Sequence, residues 1–591
     1  MFIITPISLE NDRYTQAVNA ANAQVDAVSF IRQACDLKIT MFEKKLISRD
    51  ELFYETDNLG WIFGTGIWSY RGKVGGEGLL LIIDDLRNDS LNRELLRGQY
   101  ALLVRLKKRD HLILILDSSG IQNLYKSDEG IVSTSFMACL YSKEKVATLN
   151  RKAAIENLVT GHIVSPDTLI NEIKRFHPKG ANDFFIEKIL INVNNPNERI
   201  GIPDFKNREE AMEAQLSNLD ELFEAFRNLN IEGADFGLTG GLDSRLLLAF
   251  ALRNWDENRI SVYTNSRLRK GKEKVVDEPI AVGVSKAIGK DLKLGWMSHP
   301  TDIEEEHLYE TVQKSFKFFD GHVKMHTQYF EAYNNSEFKL NLIGQSRLNT
   351  SGIGGEQYRN MERFGSGKWN LRSFLDFKTI KMVAGEALNR EELNSLLDYL
   401  VPKVKSRLGV GDDLSRVDVK KYYNEILNGD RLGARNNMEN KLYWFLSPYT
   451  EAKVSEQAYG MCQFIGNYNF TFQAEMLARV NERMGKVPTD YGFTPTVGLT
   501  SKMKVQEMTK LLIPWELFYH TKIKNLHKPG SYDLFNKLNK YGFIREYLDV
   551  IESIFPEVNF EHLNVRPDLM PIAVNLGCFI YELTKEGKLK V

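Results

Sequence analysis

Along the first 150 residues the apolar positions come in short runs broken by Gly, Asn and Asp. GWIFGTGIWSYRG (60–72), GLLLIIDDL (78–86), GQYALLVRLKKRDHLILILD (98–117) and GIVSTSFMACL (130–140) are β-branched or aromatic stretches of strand length. The polar KKRD at 107–110 separates two such runs and reads as a hairpin turn. Residues 151–195 look transitional. After them the period changes. NREEAMEAQLSNLDELFEAFRNL (207–229) carries apolar residues at helical spacing among good helix formers. A strand over about 232–238 leads through FGLTGGLDSR (236–245) into the helical run RLLLAFALRNW. ISVYTN (260–265) reads as a second strand, DEPIAVGVSKAIG (277–289) as a second helix and FKLNLIG (338–344) as a later strand. Strands alternating with helices predict a parallel, doubly wound sheet. From about residue 365 onward the pattern is mostly helical, KVQEMTKLLIPWELFYHTKI (504–523) included. No internal repeat or low-complexity tract interrupts it.

The chain has 591 residues, which is too many for one core and sets at least two domains. Its net charge of −1 gives no broad basic field, so nucleic acid is not an expected partner. The cysteines Cys35, Cys139, Cys462 and Cys578 are far apart and form no CxxC pair, which fits a reducing compartment. MFIITPISLENDRY lacks the basic start and long apolar stretch of a signal peptide. GLLLII (78–83) and HLILIL (111–116) are too short to cross a bilayer. The expectation is a cytoplasmic protein with no membrane partner.

The chemistry concentrates in the turn from Leu238 to Ser244, LTGGLDS. In an open α/β sheet, ligands sit at the carboxyl ends of strands, where helices begin. Gly240 and Gly241 let the backbone approach an anion, and free N–H groups with the helix dipole favour phosphate. Thr239 and Ser244 offer hydroxyls. Asp243 would repel phosphate unless a cation lay between, which points to Mg²⁺ on pyrophosphate oxygens. The turn is not a Walker A loop, since the lysine of GxxxxGK[ST] is missing, and it is not GxGxxG.

LTGGLDSR resembles the pyrophosphate loop SGGxDS of the ATP pyrophosphatases, in the form found in the synthetase domain of the asparagine synthetase family. Thr239 stands for the usual first serine and keeps the hydroxyl. NTSGIGGEQYRN (349–360) is similar to the family's SGEGxDE segment, with Ser351, Gly352 and Gly354 in place and Glu356 where the family has aspartate. The resemblance implies that Asp243 and Glu356 hold Mg²⁺ with ATP, and that Tyr263 and Thr264, where the second strand runs into TNSRLRKGKEKVVDEPIAVGVSKAIG (264–289), help shape the ATP pocket. It also implies a lysine that stabilises departing pyrophosphate. Lys502 and Lys504 are the leading candidates, with Lys510 behind them. Ile353 departs from the family. Asparagine synthetases have glutamate there, β-lactam synthetases tyrosine and some lasso-peptide cyclases histidine. An isoleucine does no acid–base work, so the general base lies elsewhere.

LRGQYALLV (96–104), HLILILD (111–117) and SSGIQNLYKSDEGIVSTSFMACL (118–140) resemble the family's N-terminal glutaminase domain, and GHIVSPDTLINEIKRFHPKG (161–180) its exit. The implied architecture is α/β plus α+β. Residues 1–195 form an Ntn-type β-sandwich, and 196–591 a doubly wound synthetase domain with a helical C-terminal extension. The nucleophilic cysteine that the glutaminase needs at its amino terminus is missing, because residue 2 is Phe. The domain is therefore expected to be catalytically dead. Asp320 and His322 in FFDGHVKMH (318–326), and the aromatics Tyr443, Trp444 and Phe445, read as structural more readily than as ligands.

The function these features imply is an ATP-dependent, AMP-forming amide synthetase. It adenylates a small-molecule or peptide carboxylate and passes it to free ammonia or to an amine of the substrate. The second option joins the dead N-terminal domain to Ile353 and points to specialised amide formation, as in β-lactam synthetase or lasso-peptide cyclase, the latter with a precursor peptide and its leader protease as partners. Ammonia-dependent amidation of a small acid or a surface sugar acid, and an ATP-binding regulatory pseudo-enzyme, stay open.

Overall fold

The computed structural model describes all residues except 179–185, 195–200, 269–276, 299–301, 324–327, 331–335, 345, 360–368, 466–469, 514–516, 518–519, 521–537 and 564–569. The architecture is mixed α/β. Two six-stranded sheets make up the N-terminal part. One contains Phe2–Pro6 between Leu37–Phe42 and Val132–Ser133, all antiparallel. The other is built on the long pair Gly60–Tyr70 and Leu96–Leu106, with Leu112–Asp117 next and Ile189–Asn194 added in parallel at its edge. Side chains alternate across a strand. Phe2 and Ile4 therefore pack with Ile62, Leu102 and Leu114 of the second sheet, while Ile3 faces the helices Asn11–Asn22 and Phe136–Tyr141.

The hairpin at 107–110 forms as expected, between Leu96–Leu106 and Leu112–Asp117. Two other expectations in this region need correction. GLLLIIDDL is not a strand but lies in the helix Gly75–Arg87, which buries Leu79, Ile82, Ile83 and Leu86 at helical spacing. GIVSTSFMACL pairs only at Val132–Ser133. Ser135 then accepts the N–H of Ala138 and starts a helix.

The second half holds a five-stranded, wholly parallel sheet. Numbered in chain order, Ala234–Gly237, Ile260–Leu268, Leu292–Ser298, Leu348–Thr350 and Trp444–Leu446 stand in the order 3-2-1-4-5. The helices Arg208–Ala225, Asp243–Asn254 and Asp277–Ala287 form where the apolar spacing put them. FKLNLIG is a correction: 336–343 is helical and ends at Gly344 with φ 68°, and the strand lies later, at Leu348–Thr350. The order reverses between the first and fourth strands, and that switch point is where such sheets open a crevice. Helices dominate after Trp369, with the helix Ser501–Leu512 where expected. The remainder of the 504–523 expectation lies largely outside the described residues. No helix among them is long and apolar enough to cross a membrane.

Candidate active site

The two glycine-rich segments follow the first and fourth strands and meet at the switch point. The first strand leaves Gly237 for a turn held at both ends. Leu238 N–H donates to Tyr263 O at 2.7 Å, and Thr264 Oγ1 donates to Leu238 O at 2.8 Å. Both backbone groups of Leu238 are thereby engaged with the second strand. Within the turn, Ser244 Oγ lies 3.2 Å from both the amide N and Oγ1 of Thr239. Thr239 is exposed, and Gly240, Gly241 and Leu242 are buried beside it. The helix Asp243–Asn254 begins at Leu242 with no side-chain cap, so its first-turn amides keep the positive end of the dipole open to an anion.

A fully buried arginine, Arg245, pins this turn from below. It donates to Gly240 O at 3.1 Å, Pro488 O at 2.7 Å and Val487 O at 2.9 Å. Burial lowers its pKa to about 10. Asp490 N–H adds a 3.2 Å bond to Gly240 O. The segment 487–491 thus forms one wall of the site, although nothing in its sequence marks it.

The second segment is shaped by close approach. Gly354 has φ 92°, and a Cβ there would meet Thr450 Cγ2 at 2.9 Å, so only glycine fits. Ser351 N–H is bonded to Leu446 O, and Ser351 Oγ accepts from Ile353 N–H at 3.3 Å. Gly352 and Gly355 lie against Asp243. A Cβ on Gly352 would come 3.0 Å from Asp243 Cβ, and one on Gly355 would come 2.0 Å from Asp243 Oδ1. The two segments are therefore in direct contact. Lys420 holds the following turn by donating to Glu356 O at 3.2 Å and to Arg359 O.

Asp243 and Glu356 lie close enough for the charge of one to act on the other. Burial, and then the charge of Asp243, raise the Glu356 pKa. Glu356 Oε2 is buried and has no hydrogen-bond partner among the described residues. Each carboxylate oxygen of Asp243 accepts a hydrogen bond. Arg359 Nη2 pairs with Oδ2 at 2.5 Å, Gln473 Nε2 donates to Oδ1 at 2.6 Å, and Tyr449 Oη donates to the backbone carbonyl at 2.9 Å. Arg359, Gln473 and Tyr449 lie 116, 230 and 206 residues from Asp243 in the chain, and sequence reasoning missed all three.

Among the described residues no group of three or more His, Cys, Asp or Glu side chains converges to hold a metal. Two carboxylates, one with an unpartnered buried oxygen, fit Mg²⁺ that arrives on phosphate oxygens rather than a metal held by protein alone. Tyr263 is buried, which pushes its pKa up to about 12, and its hydroxyl accepts from Asn349 Nδ2 at 3.2 Å. Lys502 and Lys504 lie exposed on the first turns of Ser501–Leu512, and the side chain of Lys510 falls outside the described residues. Ile353 is half-buried. In the N-terminal part Phe2 is fully buried between the sheets. Asp320 caps the helix Phe136–Tyr141 through the Phe136 and Met137 amides, which is the structural role its sequence context favoured.

The two glycine-rich segments thus meet at the switch point of a 3-2-1-4-5 parallel sheet. No family model matches the chain, and no curated protein matches it. Among solved structures it aligns with the glutamine-dependent NAD⁺ synthetase of Acinetobacter baumannii in complex with ADP, at 10% identity and a TM-score of 0.15. The alignment covers 37% of this chain and 46% of that one. At that TM-score the likeness establishes nothing about this chain's activity.

Proposed function

We propose that the protein is an ATP-dependent, AMP- and pyrophosphate-forming amide synthetase. The observation that carries this reading is the contact between the TGGLDS and SGIGGE segments, with Gly352 and Gly355 packed on Asp243 at the switch point. In this reading a substrate carboxylate attacks the α-phosphorus of ATP and pyrophosphate leaves. An amine then attacks the acyl-adenylate, forming the amide and releasing AMP. Mg²⁺, held by Asp243 and Glu356, neutralises charge on the departing pyrophosphate when bound. The uncapped start of Asp243–Asn254 and the Gly240–Gly241 backbone receive phosphate oxygens, and the Thr239 and Ser244 hydroxyls orient them. Arg245 holds the cradle rigid without reaching the ligand.

The N-terminal sandwich supplies no nitrogen in this account, because the side chain at residue 2 is a core phenylalanine. The amine is then a group of the substrate itself or free ammonia. Ile353, which has no acid–base capacity, favours the first, an intramolecular or peptide amide bond of the β-lactam synthetase or lasso-peptide cyclase type. The test is incubation with Mg-ATP and pools of carboxylic acids and amino-terminal peptides, reading the nucleotide products. Acid-dependent release of AMP and pyrophosphate, lost in Asp243→Asn, is expected. Release of ADP and phosphate would overturn the reaction class. ATP binding with no release under any acid would favour a regulatory pseudo-enzyme.

A further inference from the structure

In the state described, N–H donors compete with any metal for both carboxylate oxygens of Asp243, one on each. The stronger of these is Arg359, three residues beyond Glu356. Its side chain is 8% exposed against 22% for Asp243, and its guanidinium lies 4.9 Å from the Phe470 ring centroid and 5.8 Å from that of Tyr491. Those rings are themselves stacked with centroids 3.8 Å apart. The rings hold the guanidinium plane and accept no conventional hydrogen bond. Among the described residues the guanidinium makes one hydrogen bond besides that to Asp243, a long 3.5 Å contact from Nη2 to Gln473 Oε1, and its buried Nε–H has no acceptor there. A buried guanidinium with an unspent Nε–H therefore stands near an uncapped helix start and a carboxylate with one oxygen unpartnered among the described residues.

We infer that Arg359 is a polyphosphate-binding residue parked on Asp243, and that it couples phosphate and metal binding. The inference rests on the ATP-site reading above. Planar guanidinium groups bind phosphate bidentately, and a dianionic or trianionic phosphate group competes well with one carboxylate for those donors. When polyphosphate enters, Arg359 transfers its donors to phosphate oxygens and releases Asp243 Oδ2. Asp243 and the unpartnered Oε2 of Glu356 then become available together to Mg²⁺. Before polyphosphate arrives, Arg359 neutralises Asp243 and keeps the metal affinity low. The site thus selects Mg²⁺ together with its phosphate ligand over free Mg²⁺. The coupling is reciprocal, as any linkage between two ligands must be.

The test is calorimetric titration of the full chain with inorganic pyrophosphate in EDTA, with Mg²⁺ alone, and with both, using wild type, Arg359→Gln and Asp243→Asn. In EDTA, pyrophosphate should bind Arg359→Gln roughly tenfold or more weakly than wild type, the loss of charge-assisted hydrogen bonds. It should bind Asp243→Asn more tightly than wild type, since the competing carboxylate is gone. Mg²⁺ alone should bind Arg359→Gln more tightly than wild type, the reverse of what general damage to the site would do. If Arg359→Gln does not fold, the Asp243→Asn comparison in EDTA decides the matter. Equal pyrophosphate affinity in wild type and Arg359→Gln, or in wild type and Asp243→Asn, would overturn the inference and leave the ATP site standing. Failure of wild type to bind pyrophosphate or ATP even with Mg²⁺ would remove the ATP-site reading, and this inference with it.

Discussion

Replacing Gly355 with alanine perturbs the contact on which the whole site depends. The added Cβ would lie 2.0 Å from Asp243 Oδ1, 2.4 Å from its Cγ and 3.0 Å from its Cβ. Non-bonded carbons need roughly 3.5 Å from their neighbours, so the whole Asp243 side chain must turn away. Turning it pulls Oδ1 from Gln473 and Oδ2 from Arg359. A hydrogen bond to a charged group contributes about 1.5–3 kcal/mol. Water recovers part of this, because Asp243 is 22% exposed. The net destabilisation is then about 2 kcal/mol, in the range of overpacking costs of ~1–3 kcal/mol. The melting temperature should fall by a few degrees, while Mg-ATP affinity should fall far more, because the displaced carboxylate and loop line the cradle. Gly411→Ala is the control, since its Cβ would meet nothing within 4 Å and its φ is not left-handed. Differential scanning fluorimetry and Mg-ATP calorimetry on both variants read the two effects. Gly355→Ala with wild-type melting and wild-type Mg-ATP affinity would refute the claim that the two loops form one site.

Glu356→Gln should cut pyrophosphate release sharply and flatten its Mg²⁺ dependence with melting unchanged or raised, because its buried Oε2 has no partner among the described residues. Glu356→Asp should keep partial activity, and a destabilised Gln variant with a normal Mg²⁺ titration would make Glu356 a structural cap instead. Purified protein should not convert glutamine to glutamate, since Phe2 is core, and measurable hydrolysis free of contaminants would expose a nucleophile elsewhere. His162 is buried, and burial lowers its pKa to about 4 from an ordinary 6.5. The unfolded chain takes up that proton first, so His162 contributes stability that is present above pH 6.5 and lost as pH falls toward 4, about 3 kcal/mol in all. A chemical-denaturation series over that range should be steeper for wild type than for His162→Gln, and parallel slopes would contradict the assignment.

The parallel sheet and the cradle were legible because local chemistry and global position agree there. Two glycines, two hydroxyls and an aspartate between a strand and a helix have few other uses, and the strand Ala234–Gly237 ends where the turn begins. The fourth strand was not legible in the right place. Leu348–Thr350 is three residues long and buried throughout, so it shows no alternation. The apolar–polar alternation of FKLNL imitated a strand in a helix that stops at Gly344. The run LLLII hid a helical stripe for a related reason, since Leu79, Ile82, Ile83 and Leu86 face inward while Leu80, on the outer side, is equally apolar. The partners of Asp243 could not be read at all. Gln473 and Tyr449 reach it through tertiary packing across more than 200 residues, and Arg359 looks like any arginine after a glycine-rich loop.

If phosphate enters the Gly240–Gly241 cradle, Gly241→Ala must block it. A Cβ on Gly241 would make only ordinary contacts, 3.4 Å to Tyr491 Oη and 3.7 Å to Thr239 Oγ1, so the fold accommodates it. The same methyl stands where phosphate oxygens must approach the backbone. Calorimetric titration of Mg-ATP into wild type and Gly241→Ala should show binding by wild type and a loss of roughly tenfold or more in the variant, with melting temperatures equal. No binding by wild type, or equal affinity in the two proteins, would contradict the account.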